Sequence, residues 1–325
     1  MDGLTVRRTT RRAAAVRLLG AGVLALIAGS ASAQPASQGN EALRQQALDL
    51  VNEARAGHDL PALESTGVLD AAALAHARDM AERDFYAHET PEGETVRDRF
   101  IDAGGSRWKL VAENIARCEG CPTPPGAERV ESLQQGWMES PGHRANILAQ
   151  GLDGFGFAIV ADGGTTYAVQ TFAGPGAPEG MQPGEEQTAL SAGDLSARSV
   201  RSLNRARDRE GAPALEASSA LDGLARRLIA GGEGERLIDR SAALFDLLPE
   251  GERRDWSSLN VVAAGCGGCG ATPTAADVRR FMRQWIESPA HAGTLLGRSA
   301  DHVGFSLDAD GEGRKVAVAV VGTRR

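Results

Sequence analysis

Residues 137–148 read WMESPGHRANIL, and residues 285–296 read WIESPAHAGTLL. The string Trp-x-Glu-Ser-Pro-x-His occurs twice, 148 positions apart. Extending the comparison outward aligns 118–157 with 266–305 without a gap, and 15 of the 40 positions are identical. Average residue usage would give about two or three. Upstream the offset becomes 152, where VNEARAGHDLPAL (51–63) faces LNRARDREGAPAL (203–215). Each copy is long enough to bury a core of its own, so the pattern is a domain duplication rather than a solenoid. Between the copies, residues 174–193 (GPGAPEGMQPGEEQTALSAG) are rich in Gly, Pro and Glu and lack periodicity. They read as a linker at 175–191 between domains at 41–174 and 192–325.

The two copies share a coarse layout. A first helix spans 41–56, with Leu43, Ala47, Leu50, Val51 and Ala54 on one face and Gly57 and Pro61 as its stop. A second covers 67–83, and a third carries Val130, Leu133 and Trp137. Pro141 disfavours helix at Ser140 and lacks an N–H. The third helix therefore ends near Ser140, and a new turn starts with Pro141 at its first position. GFGFAIV and TTYAVQTF, joined at Gly163-Gly164, form a closing hairpin, with VGFSL and KVAVAVV as counterparts. Helices first and a hairpin last point to an α+β or layered α/β/α class.

Residues 1–33 have the form of a signal peptide. Five Arg precede the apolar LLGAGVLALIAG, and Ala31-Ser32-Ala33 offers a cleavage site. The apolar run falls short of the roughly 20 residues of a bilayer span. The residues after Arg11-Arg12 are Ala rather than the larger apolar residues of a twin-Arg signal. Cleavage removes five Arg and one Asp and moves the net charge from −8 to −12. The expectation is an exported protein, periplasmic or extracellular, with no membrane span after cleavage. Its charge is unsuited to nucleic acid.

Glu139 and His143 are candidates for chemistry, but on this string alone a packing role around Trp137 is the simpler reading. Helix two ends in RDFYAHETPEG, which offers His88, and VAENIA (111–116) places Glu113 among apolar residues, where a carboxylate needs a partner. With VNEARAGHDLPAL, FYAHETPEG, AENIA, WMESPGHRANIL and the hairpin in this order, residues 45–173 resemble the CAP superfamily in its short bacterial form. That superfamily comprises cysteine-rich secretory proteins, antigen 5 and pathogenesis-related proteins. The resemblance implies two tandem α-β-α sandwich domains and, in the first, a cleft lined by His88, Glu113, Glu139 and His143. Two imidazoles suit a borderline cation such as Zn²⁺, with Glu113 and Glu139 orienting waters or holding imidazole N–H groups.

The second copy keeps Glu287 and His291, but Leu259 or a neighbour stands where Glu113 does, and RLIDRSAALFDLLPEG has no His. It reads as a degenerate copy in which the string survives as structure; His302 reads as a surface residue.

Cys118-x-x-Cys121 and Cys266-x-x-Cys269 admit three readings: a redox motif, a four-Cys zinc site across both domains, or a local disulfide in each copy. The prolines after Cys121 and the 144 residues between the pairs favour the local disulfides.

Two functional classes follow. One is a non-catalytic binding module for an extracellular lipid, glycan or protein. The other is a metal-assisted hydrolase, protease or esterase, with a Zn²⁺-bound water and Glu113 or Glu139 as base. The chain has neither a His-Glu-x-x-His nor a Gly-x-Ser-x-Gly motif, which favours binding.

Overall fold

A computed structural model describes residues 34–182, 185–230 and 241–325. The expected signal peptide at 1–33 lies outside the described residues. The described residues build two four-stranded sheets, each with helices on both faces. The first unit runs α1 (Gln34–Ala56), β1 (Glu64–Ser65), α2 (Gly67–Arg83), α3 (Val96–Asp102), β2 (Leu110–Glu119), α4 (Ala127–Glu139), α5 (Pro141–Ile147), β3 (Gly154–Asp162) and β4 (Thr165–Gly174). The second runs α6 (Ala192–Arg209), β5 (Glu216–Ala217), α7 (Ser219–Ala230), α8 (Ser241–Asp246), β6 (Trp256–Cys266), α9 (Ala275–Glu287), α10 (Pro289–Leu296), β7 (His302–Ala309) and β8 (Lys315–Arg324). The strand orders are β1-β3-β4-β2 and β5-β7-β8-β6, the same path traced twice.

Period-two alternation divides each central strand between two cores. In the first unit Phe155, Phe157 and Ile159 of β3 and Phe172 of β4 pack with α1, α4 and α5 around Trp137. Ala158, Tyr167 and Val169 turn the other way, onto Ala73, Ala77 and Met80 of α2. Trp285 holds the matching place in the second unit, fully buried beside Phe281 and Phe305. Gly156 lets α2 lie close on the sheet, because a Cβ there would collide with the backbone of Leu69; Gly304 does the same for Leu221. The next residue on each helix exploits the approach. Asp70 accepts a hydrogen bond from the Phe157 amide at 3.0 Å, and Asp222 from that of Phe305 at 2.7 Å.

A second repeated device is a buried arginine. Arg55 donates from Nε to Pro61 O (2.9 Å) and from Nη1 to Ile147 O (2.8 Å) and Ala149 O (3.0 Å). Arg207 binds Pro213 O, Leu295 O and Gly297 O in the same way, and both side chains are fully buried. Each guanidinium ties the end of a long helix to the carbonyls that close a short one.

The α2 boundaries and the α4–Pro141 break fall where the sequence places them. Three features differ. First, α1 begins at Gln34, not 41, because apolar periodicity marks only the part of a helix that faces a core. Second, VAENIA is a strand: β2 pairs antiparallel with β4 from Leu110↔Gly174 to Glu119↔Thr165, so a hairpin does not complete the sheet. Third, α3 was not foreseen; a capping box between Thr95 and Asp98 starts it. His302 is also not a surface residue. Its side chain is 13% exposed, donates from Nδ1 to Asp301 at 2.7 Å and meets Trp256 edge-on.

Arg55→Met should destabilise the protein by about 3 kcal/mol, since three buried carbonyls lose their donor. Urea denaturation followed by circular dichroism measures it, and Arg207→Met should behave alike.

Candidate functional site

β2 is an edge strand, and α5 lies along it. Glu113 sits on β2 with its side chain turned to the α2 side, as Ile115 does; its carboxylate is 2% exposed. Both oxygens are engaged. Oε1 accepts from His88 Nδ1 at 2.9 Å, and Oε2 from Arg99 Nη2 at 2.8 Å. Arg99, reaching in from α3, also donates to His88 O (3.0 Å) and Glu94 O (3.1 Å). His76, fully buried on α2, donates from Nε2 to Ala87 O at 2.9 Å. Two consecutive carbonyls before and at His88 are thus held from beneath, and the imidazole itself stays exposed.

The helix break at Ser140 sets the other wall. Ser140 is extended, Pro141 opens α5, and His143 lies half-buried on its first turn. The amides of Asn114 and Asn146 fix that turn: Asn114 Nδ2 donates to His143 O (3.2 Å), and Asn146 Nδ2 to Glu113 O (2.9 Å). Asn114 continues inward to Gln170 and, through it, to Gln134. His143 is held below the ordinary imidazole range, first by burial and then by repulsion from a protonated His88.

The structure thus places His88 directly on Glu113 and ties the backbone of His143 to Asn114, the next residue on β2. Glu139, the last residue of α4, is exposed and accepts from Gln135 within its own helix at 2.9 Å. His76, Arg99 and the Asn114–Gln170–Gln134 amides were not singled out from sequence. His76 was the legible one, a histidine inside the apolar stripe Leu69, Ala73, Ala77, Met80.

In the second unit the ladder register puts Val261, not Leu259, opposite Val320 where Glu113 pairs with Thr171. Leu228 stands for His76, Val262 for Asn114, Met282 for Gln134 and Ala319 for Gln170, all inside apolar clusters. Glu287 is exposed and His291 half-buried; neither has a side-chain hydrogen bond or ion pair among the described residues. Each Cys pair closes on itself, Cys118–Cys121 and Cys266–Cys269, with Cα separations of 5.9 and 6.1 Å.

Residues 48–172 match the model of the CAP: Cysteine-rich secretory protein family. That stretch takes in all four candidate residues and none of the second unit. A Bacillus subtilis (strain 168) protein, YkwD, described only as uncharacterized, is 27% identical over 157 residues, 48% of this chain and 58% of its own length. An extracellular protein containing a SCP domain from Bacillus anthracis str. Ames is 31% identical, with 41% of this chain and 40% of that one covered and a TM-score of 0.35. The structure of NaASP2 with Zn²⁺ covers 41% of this chain and 80% of its own at 14% identity, TM-score 0.32. The chain thus spans about half the length of the two bacterial relatives.

As a metal site, the donor set is sparse. Each Glu113 oxygen already accepts a hydrogen bond in a carboxylate 2% exposed, and no cluster of three or more His, Cys, Asp or Glu gathers as ligands among the described residues. His88 offers Nε2, because Glu113 takes the Nδ1 proton.

Burial lowers the His76 pKa from about 6.5, opposed by Glu113 and reinforced by Arg99. Below about pH 6.5 the unfolded chain takes up a proton that folded His76 refuses. Stability should be full above that pH and fall as pH drops toward the lowered folded value. Urea midpoints from pH 7.5 to 5, with imidazole C–H signals followed by NMR, check this; His76 and His143 should titrate below an exposed histidine.

Proposed function

We propose that this chain is an exported, non-catalytic CAP-domain binding protein, with its site in a first domain at 41–174 and a degenerate second copy at 192–325. Supporting export are the signal-like segment at 1–33, a local disulfide in each unit, the extracellular SCP-domain protein among its relatives, and the lack of a helix long and apolar enough to cross a membrane among the described residues. Supporting a degenerate copy are the shared strand order and register, with aliphatic residues in place of the first unit's polar groups.

The observation that carries the binding reading is the double engagement of Glu113. A general base needs a free lone pair near the proton it removes. Here each oxygen is tied to Arg99 or His88 and the carboxylate is 2% exposed, so its remaining lone pairs are shut away from a substrate and it serves as a fastener for the histidine loop. Glu139, exposed and tied only within its helix, has no geometry that would orient a nucleophile. The cleft would take a divalent cation such as Zn²⁺ on His88 and His143, with solvent completing the shell, and present it to an extracellular lipid, glycan or protein. The Zn²⁺ in the structure of NaASP2 supports the choice of cation.

Calorimetry should find Zn²⁺ binding that the His88→Ala, His143→Ala double variant weakens at least about tenfold. Purified protein should leave casein and generic esters uncleaved above background. Turnover lost in Glu113→Gln would replace this reading with the hydrolase.

A further inference from the structure

The two Cys-x-x-Cys loops have the same spacing and different surroundings. Cys118 and Cys121 are half-buried. Cys266 and Cys269 are 8% and 5% exposed, and what covers them includes the first unit. The Gly268 amide donates to Trp108 O at 2.7 Å, and the Gly270 amide to Pro175 O at 2.8 Å. Gly176 and Cys269 form an antiparallel bridge. Gly313, with φ +105°, comes so near that a Cβ would stand 2.8 Å from Trp108 O and 2.9 Å from Pro175 O. Around this backbone contact, Lys109 pairs with Glu312 at 3.1 Å. Trp108 lies beneath the guanidinium groups of both Arg107 and Arg314, at 4.6 and 5.1 Å. The linker is fastened to the same unit: Glu179 pairs with Arg280 at 2.8 Å, and Arg279 grips Glu185. Arg280 also donates to Cys269 Sγ at 3.3 Å.

The place where this loop docks matters. Leu110↔Gly174 is the end rung of the β2–β4 ladder, and Trp108 and Pro175 are the chain just beyond it. Glu113↔Thr171 lies three rungs in. The open end of a ladder frays, and an edge strand such as β2 has no second neighbour to restrain it. Here a loop made rigid by a disulfide supplies donors to both chains as they leave the sheet.

We propose that the second unit serves as an intramolecular clamp: its Cys266–Cys269 loop docks on Trp108 and Pro175, closes the end of the β2–β4 ladder, and so holds the strand that carries Glu113. This gives the unit that lacks the histidines a role, and gives its disulfide one that the half-buried Cys118–Cys121 pair does not share. It stands apart from metal binding, since it concerns the strand rather than a ligand.

Hydrogen exchange of the full chain tests it. In the unaltered protein the Gly268 and Gly270 amides should be protected, as should β2 over 110–115. Cys266→Ser, Cys269→Ser should speed exchange at those two amides and across 110–115 by about tenfold or more while β8 stays protected. Should that variant lose β8 protection too, Glu312→Lys decides. It changes one exposed side chain, sets a like charge against Lys109, and should speed the same amides to a smaller degree. Unprotected Gly268 and Gly270 amides in the unaltered protein would overturn the clamp. So would a loosened loop with β2 exchange unchanged.

Discussion

A guanidinium buried among carbonyls holds each unit of this chain together. Among the described residues Arg55 and Arg207 have no carboxylate partner; their charge is met by the carbonyls that end a short helix and by one from the proline loop. Those helix-end oxygens carry the negative pole of the helix, and charge-assisted hydrogen bonds to them offset part of the cost of burial. The geometry is rigid because the fork is planar and its acceptors come from segments far apart in sequence. Where α5 lies, and hence where His143 lies, follows from it. The packing of Trp137 and Trp285 against their sheets follows too, since α4 and α9 run directly into those short helices.

On this shared frame the two interiors diverge. The first unit carries a chain of polar groups from α2 through the sheet to α5: His76, Arg99 and Glu113 on one face, Gln134, Gln170 and Asn114 on the other. The second unit replaces the corresponding positions with Leu228, Val261, Val262, Met282 and Ala319. Buried polar networks are tolerated only when nearly every member is satisfied, so such a set is lost or kept as a group. The wholesale change to aliphatic side chains has that character. The second unit's own buried pair, Lys315 with Asp277 at 2.6 Å, lies close to its disulfide loop, away from the sheet interior that faces α7.

The repeated layout, the helix break at Pro141 and the need of Glu113 for partners were legible because each leaves a local mark: a repeated string, a missing N–H, a glutamate in apolar company. The strand through Glu113 was not. VAENIA lacks strict alternation because β2 is covered on one face by α2 and along its edge by α5, so its polar residues point into networks rather than to solvent. Arg99 was invisible for a related reason. Its helix has seven residues, too short for any period, and nothing in GETVRDRFID distinguishes the arginine that enters the core from the one that does not. His302 misled because a histidine beside an aspartate at a strand end resembles a surface pair, whereas Trp256 closes over it.

The tautomer of His88 has a consequence for selectivity. When the ring is neutral with its Nδ1–H directed into Glu113, the exposed Nε2 carries a lone pair, and the nearby Arg99 charge is paired with Glu113 inside the protein. A molecule arriving at the cleft meets an electron-pair donor on a chain of negative net charge. A nitrogen in that form can accept a hydrogen bond or coordinate a cation, and it has no proton to offer an anion.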